Sequence, residues 1–358
     1  ADINEGTLNF TAQLIDDGTI YDDGTFDPLP FCDDSHNSRL IGIDQSGAWG
    51  QDRIKVVIID QPISGIDHAP LYSTPDEIGG AHGNKVYSVI NNLLTQAGLT
   101  EVEYISLVLF DDQGQSSLAS LTGAFSFIKH RFDIGIWDIN HDRVLVNLSA
   151  NVAFPDEIDL REVISGGISE QWEECLGDGV TPGNYPVMLI NSAGNHSGTS
   201  ASIFPAAWGF TSEISVAGTE NCFSTPWENT NHDPIEYEIA AEAESVLTED
   251  DGLYYISNGT SFSSAEVTAV AAQIALNRIG ENIHQIQGHV LNAVDHVPAL
   301  ASTVEYGRVV NIENHFWHAQ GGKLFTQVLD ESPSLTLQTN PNPFSQNAIV
   351  NIGVEVGQ

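Results

Sequence analysis

Four polar side chains, widely separated along the chain, are of types that together perform nucleophilic chemistry. They are Asp60 in VVIID, His82 in GGAHGNKVYSVI, Asn195 in LINSAGNHSG and Ser261 in NGTSFSSAEVTA. A serine hydroxyl is a poor nucleophile until an imidazole takes its proton. The imidazole in turn needs a carboxylate to hold its tautomer and stabilise the cation it becomes. A tetrahedral intermediate then needs fixed donors aimed at its oxygen, and an Asn amide in a loop of small residues can supply one. The chemistry is acyl transfer through a covalent intermediate. Each residue alone has a plainer reading: Ser261 as a helix cap, Asp60 satisfying turn amides, His82 opening a helix, Asn195 in a turn. What argues against four coincidences is the set of elements that carries them.

Residues 54–59 (IKVVII) form an apolar run of strand length, interrupted only by Lys55 and ended by Asp60. Runs of the same kind recur at 104–110 (YISLVLF), 144–148 (VLVNL), 187–190 (VMLI) and 214–217 (ISVA). Such strands read as buried on both faces. Helical stretches lie between them at 83–94, 116–129 and 158–176, and an Ala-rich helix at 264–279 is apolar nearly all round, so it should be buried. The alternation predicts an α/β fold with a mostly parallel central sheet and helices on both faces. Its active crevice belongs at the carboxyl ends of the strands. Asp60 and Asn195 follow strands while His82 and Ser261 open helices, which brings all four to that crevice.

The same blocks resemble those of the subtilisin-like serine proteases, the subtilases. VVIID resembles the family's first catalytic block, and HGNKVYS its HGTHVA-like block. NLSAN at 147–151 is similar to the strand lining the substrate cleft, SAGN at 192–195 to the oxyanion block, and NGTSFSSAEVTA to NGTSMASPHVAG. IFPAAW, ISVAGTE and YGRVVNIENHF resemble further family segments, so the likeness spans about residues 53–315. It implies a three-layer subtilisin-like fold and a serine endopeptidase with Ser261 as nucleophile, His82 as base, Asp60 as its orienter and Asn195 in the oxyanion hole. It also implies that Ser149, Ala150 and Asn151, with Ser192, Ala193 and Gly194, bind extended polypeptide substrate. No cofactor is implied for catalysis; structural Ca2+ and an inhibitory propeptide are. Three departures stand out: Gln61-Pro62 after the Asp, Lys85 for the second His, and Ala265-Glu266 for the Pro-His pair. Two stretches, 129–144 and 154–186, look longer than a minimal member needs.

The composition limits the alternatives. With 49 acidic residues against 11 Lys plus Arg, the formal net charge is -38. Such a surface repels nucleic acid and anionic lipid, and fits either a saline exterior or scattered calcium binding. No stretch reaches the roughly 18 apolar residues needed to span a membrane. Cys32, Cys175 and Cys222 permit at most one internal disulfide, with no pairing preferred, and lack metal-binding spacing. The start at Ala1 reads as a mature, secreted form. Residues 1–50 are expected to be an N-terminal extension whose DDGT copies (16–19 and 22–25) read as turns, 51–318 the catalytic domain, and 319–358 an extension with a strand near 349–356. The triplets beginning at Asn147, Asn195 and Asn258 read as chance glycosylation matches at the cleft. Two rivals remain. An esterase lacks its G-x-S-x-G elbow here; an inactive pseudoprotease serving as an acidic binding scaffold would fail to react with a fluorophosphonate.

Overall fold

The computed structural model describes residues 9–11, 19–21, 32, 38–42, 53–66, 68–70, 81–100, 102–110, 115–150, 152–153, 168–198, 203–206, 208–319, 335–338 and 351–354. The chain divides into two compact units, Ala1–His315 and Phe316–Gln358. In the second unit the described strands, Leu335–Gln338 and Asn351–Val354, form an antiparallel pair.

In the first unit the elements run as β1 (Asn9–Thr11), β2 (Thr19–Tyr21), β3 (Arg53–Asp60), β4 (His68–Pro70), α1 (Ala81–Gln96), β5 (Glu103–Val108) and β6 (Gln115–Ser117). There follow α2 (Leu118–Asp133), β7 (Asp142–Leu148), β8 (Val152–Ala153), α3 (Ile168–Leu176), β9 (Val187–Ser192), β10 (Ile203–Phe204) and β11 (Glu213–Glu220). The last stretch is β12 (Thr225–Pro226), β13 (Ile239–Glu242), β14 (Val246–Asp250), β15 (Leu253–Ser257), α4 (Thr260–Asn277), α5 (Ile283–Asn292), β16 (Val294–His296) and β17 (Arg308–Val310), followed by α6 (Ile312–Ala319), which begins in this unit and runs past its last residue. The main sheet has the order β16-β17-β13-β11-β9-β7-β3-β5-β4, parallel except at β16 and at β12, which pairs with β11. The expected mostly parallel sheet between helical layers is what the chain forms.

Strand order reverses at β3. The chain goes from β3 to β5 on one side, then returns to β7 on the other. Ligand crevices in open α/β sheets open at such a point, and Asp60 ends the strand that makes it. Along β3 the side chains alternate: Val57 and Ile59 join the core formed with Phe125, Ile128, Trp172 and Leu176 of α2 and α3. Val56 and Ile58 must therefore face the other layer, which holds α4 and α1. Lys55, the one charge in the run, is buried with its ammonium against Glu103 and 3.9 Å from Asp142, so β3 is buried from Ile54 to Asp60.

Helix α4 starts at Thr260, four residues before the apolar periodicity, and every residue from Thr260 to Leu276 is buried. Gly259, with φ 143°, occupies its cap position and no side chain caps it. Ser261 is thus an in-helix residue of the first turn rather than a cap. The predicted helix at 116–129 lies at 118–133, preceded by β6; of that expected at 158–176, the described part is α3. Both DDGT copies fall outside the described residues apart from Thr19.

Candidate active site

The carboxylate end of β3 sets the first half of the site. Asp60 is almost wholly buried, and both its oxygens lie against His82 Nδ1, at 2.8 Å (Oδ1) and 3.0 Å (Oδ2). The backbone N–H of Gln61 also donates to Oδ1 at 2.6 Å, so the carboxylate is held from two directions. His82 is the second residue of α1, and its own N–H donates to the Gln61 side chain at 3.2 Å. Gln61 therefore ties strand end to helix start. The approach is so close that a Cβ on Gly83 would fall 2.3 Å from the Gln61 carbonyl oxygen, which explains the glycine after His82. With Nδ1 committed to Asp60, Nε2 is the nitrogen left to act as base.

The second half hangs from the first turn of α4. The Phe262 ring lies 5.8 Å from that of His82, centroid to centroid, which places the Ser261 turn beside the imidazole. The Ser261 hydroxyl donates to the Ser149 carbonyl oxygen at 3.2 Å. In return the Ser149 hydroxyl donates to the Ser261 carbonyl, also at 3.2 Å, so α4 and the segment after β7 are stitched together at Ser261. Asn195 presents Oδ1 to Thr260, accepting from its N–H at 3.0 Å and from its hydroxyl at 2.7 Å. That fixes the amide with Nδ2 turned toward Gly259, where a Cβ would lie 3.3 Å from it. In the first turn of α4, where the helix dipole favours negative charge, the Thr260 N–H is taken by Asn195 and the Phe262 N–H by the Gly259 carbonyl.

The structure thus brings Asp60 and His82 into direct contact, places the first turn of α4, which carries Ser261, beside His82, and joins Asn195 to the residue before Ser261. Ser149 adjoins Ser261; Ala150 is half-buried, and Asn151 lies outside the described residues. Ser192 is buried at the end of β9. The N–H of Ala193 donates to Val216, and its carbonyl accepts from Asn231 at 2.8 Å and Tyr237 at 3.3 Å. Gly194 donates to the Thr260 hydroxyl at 3.1 Å and accepts from the Asn231 N–H at 2.9 Å. Sequence reasoning missed three supporting residues. Thr260 and Gln61, each next to a named residue, were within reach. Asn231, which also accepts from His196 and Gly198, carries no local signal because its partners lie more than thirty positions upstream. Among the described residues no three His, Cys, Asp or Glu side chains gather to hold a metal ion. Cys32 and Cys222 form a disulfide, and burial pushes the free Cys175 thiol up to about 12.

The fold is shared with solved proteins. A cold-adapted subtilisin-like serine proteinase aligns with a TM-score of 0.56 at 15% identity, covering 76% of this chain and 97% of that one. The self-cleaved protease domain of PatA aligns at 0.53 and 20% identity, covering 76% and 99%. The subtilase cytotoxin SubAB assembly aligns at 0.58 and 16%, covering 75% and 90%. These identities speak for the fold alone. A comparison of the sequence with curated proteins finds no match. The subtilase family model matches residues 51–314, and the chain belongs to that family of serine peptidases.

Proposed function

We propose that this subtilisin-like serine endopeptidase hydrolyses peptide bonds with Ser261 as nucleophile, and the buried Asp60–His82 pair beside its turn is the observation that carries the reading. A χ1 rotation moves the Ser261 hydroxyl from Ser149 toward His82 Nε2, which takes its proton as Oγ attacks the scissile carbonyl carbon. Asp60 holds the tautomer and stabilises the imidazolium. The oxyanion is met by Asn195 Nδ2 and the Ser261 N–H. His82 then gives its proton to the leaving amine, and water, deprotonated by His82, hydrolyses the acyl-enzyme. Ser149, Ala150 and Asn151 pair with an extended, unfolded substrate segment. The backbone groups of Ala193 and Gly194 are engaged within the protein, so Ser192, Ala193 and Gly194 serve as a wall of the cleft.

Secretion is supported by the Cys32–Cys222 disulfide, which persists in oxidising compartments, and by the acidic composition. An inhibitory propeptide and structural calcium are proposed on family grounds, with no described residues assigned to the ion. Cleavage of a denatured protein by wild type and by Ser261→Ala tests the assignment; equal cleavage by both would sink it. The scaffold reading has one observation in its favour, the Ser261 hydroxyl resting on Ser149 instead of His82. Fluorophosphonate labelling decides between them: the peptidase labels at Ser261, the scaffold does not.

A further inference from the structure

Glu266 lies on α4 past Ser261, where the family pattern has histidine, and it is wholly buried. Its Oε2 accepts the backbone N–H of Glu242 at 3.1 Å, while Oε1 has no hydrogen-bond partner. An ionised carboxylate with an orphan oxygen in a dry interior is strongly disfavoured, whereas the neutral acid needs no counter-charge. Burial accordingly pushes Glu266 well above the usual carboxylate range, with the Glu242 charge adding to it. Glu242 is the last residue of β13, also buried, and its Oε2 accepts from the Phe223 N–H at 2.6 Å and the Thr219 hydroxyl at 3.2 Å. Burial pushes this carboxyl up to about 7.

The strip after β13 is what the nucleophile's turn is built on. The Glu242 carbonyl accepts from the Ser263 hydroxyl at 2.9 Å, the Ala243 carbonyl from the Gly259 N–H at 2.7 Å, and the Ser245 N–H donates to Asn258 Oδ1 at 2.7 Å. Glu266 holds the one end of that strip through the Glu242 N–H. We propose that Glu266 is a positioning residue for hydrolysis: it pins residues 242–245, which fix the turn carrying Ser261, and a negative charge on it, set against the Glu242 carboxylate, pushes that strip away and loosens the turn. The inference rests on Ser261 being the nucleophile. The charged groups acting on the pair are the two carboxyls themselves and Glu244. From the neighbouring elements, β11 offers the neutral Thr219 hydroxyl, and the 221–224 turn the Phe223 N–H. Arg39 stacks over the Phe223 ring and pairs with Asp295.

The test compares wild type, Glu266→Ala and Glu266→Gln in kcat and KM on a fluorogenic peptide from pH 6 to about 10. Truncation to Ala should lower kcat roughly 10-fold with KM within about 2-fold, because the turn shifts without touching substrate. The Gln variant keeps an acceptor for the Glu242 N–H and has no proton to lose. It should recover kcat and carry the alkaline plateau to higher pH than wild type. Superimposable profiles for wild type and Glu266→Gln, or an unchanged kcat in Glu266→Ala, would overturn the proposal. Thermal unfolding of the same variants separates its failure from that of the protease reading. If wild type neither cleaves nor labels, Ser261 is not the nucleophile and the positioning role falls with it. The neutral acid still predicts that wild type loses Tm relative to Glu266→Gln as pH rises, and parallel curves would refute that as well.

Discussion

Thr260→Val is the most discriminating perturbation of the site, because valine keeps the shape of a fully buried side chain and removes only its hydroxyl. That hydroxyl donates to Asn195 Oδ1 at 2.7 Å and accepts from the Gly194 N–H at 3.1 Å. Losing it strands the Gly194 amide in the interior, which costs about 1–3 kcal/mol of stability. Asn195 keeps the Thr260 N–H on the same oxygen at 3.0 Å, so its amide is loosened and not released. Removing an oxyanion donor outright costs about 10²–10³ in kcat. Partial loss of its orientation should therefore cost roughly 10- to 30-fold, or about 1.4–2 kcal/mol of transition-state stabilisation. KM should hardly move, since the oxyanion exists only beyond the ground state. The assay is a double-mutant cycle on a fluorogenic peptide with Asn195→Ala as the second change. If Thr260 acts through Asn195, adding Thr260→Val to Asn195→Ala should cost less than about 2-fold more. An equal loss in both backgrounds, or a loss confined to KM, would refute the account of how the amide is held.

Three further outcomes follow from the geometry. Gly83→Ala should lower both stability and kcat, because its Cβ would meet the Gln61 carbonyl oxygen at 2.3 Å and push α1 off the strand end; circular-dichroism melts and kinetics would show both, and an unaltered variant would disprove the close approach. Replacing Cys32 and Cys222 by serine removes a crosslink spanning 190 positions and should cost about 2–4 kcal/mol in denaturant unfolding, whereas Cys175→Ser should leave the non-reducing mobility unchanged. Glu213 is buried, accepts from the Phe210 N–H at 2.9 Å, and is pushed by desolvation up to about 8. A carboxyl raised in the folded state gives stability that is complete below its unfolded value near 4.5 and is lost as pH climbs to about 8, at up to about 1.4 kcal/mol per pH unit. Glu213→Gln should flatten the fall of Tm across that window, and parallel wild-type and variant curves would show that the carboxyl does not titrate there.

The strands were legible because each is buried on both faces and so reads as an unbroken apolar run; β3, β7, β9 and β11 carry no exposed position beyond their ends. The start of α4 was not legible in the same way. Thr260, Ser261, Ser263 and Ser264 are polar but buried, and their hydroxyls find partners inside the protein: Thr260 with Asn195, Ser261 with Ser149, Ser263 with Glu242, Ser264 with the Ser261 carbonyl. Apolar periodicity therefore begins only after them, and reading it alone starts the helix four residues late. Similarly, Ser116 and Ser117 belong to β6, which pairs with β1 from the N-terminal arm, a partner more than a hundred residues away that no local pattern announces. The disulfide pairing was open for the same reason. The site residues could be named because short blocks carry them; the residues that hold them, such as Asn231, are set by tertiary contact.

The departures from the family's blocks bear on whether the site is assembled, and each has local compensation. Gln61 stands where threonine is usual, and it both donates its N–H to Asp60 and receives that of His82. Lys85 replaces the second histidine; it is buried with its ammonium 4.3 Å from the centre of the Tyr255 ring, a cation–π contact between α1 and β15. Two neighbours on α1 reach the adjoining strand of the same hairpin: Asn84 donates to Asp250 at 2.6 Å, and the Ser88 hydroxyl accepts the Glu249 N–H at 2.8 Å. The hairpin that these three contacts clamp to the histidine's helix is the one that ends at Ser257, just before the turn bearing Ser261. His82 and the turn bearing Ser261 are thus held on connected elements by α1 gripping β14–β15 at three points, and by Glu266 fixing the strip below. If the altered residues had silenced the site, they would have been expected to leave His82 and the Ser261 turn on elements free to drift apart. They do the reverse, which is why an inactive scaffold is the weaker reading of the same sequence.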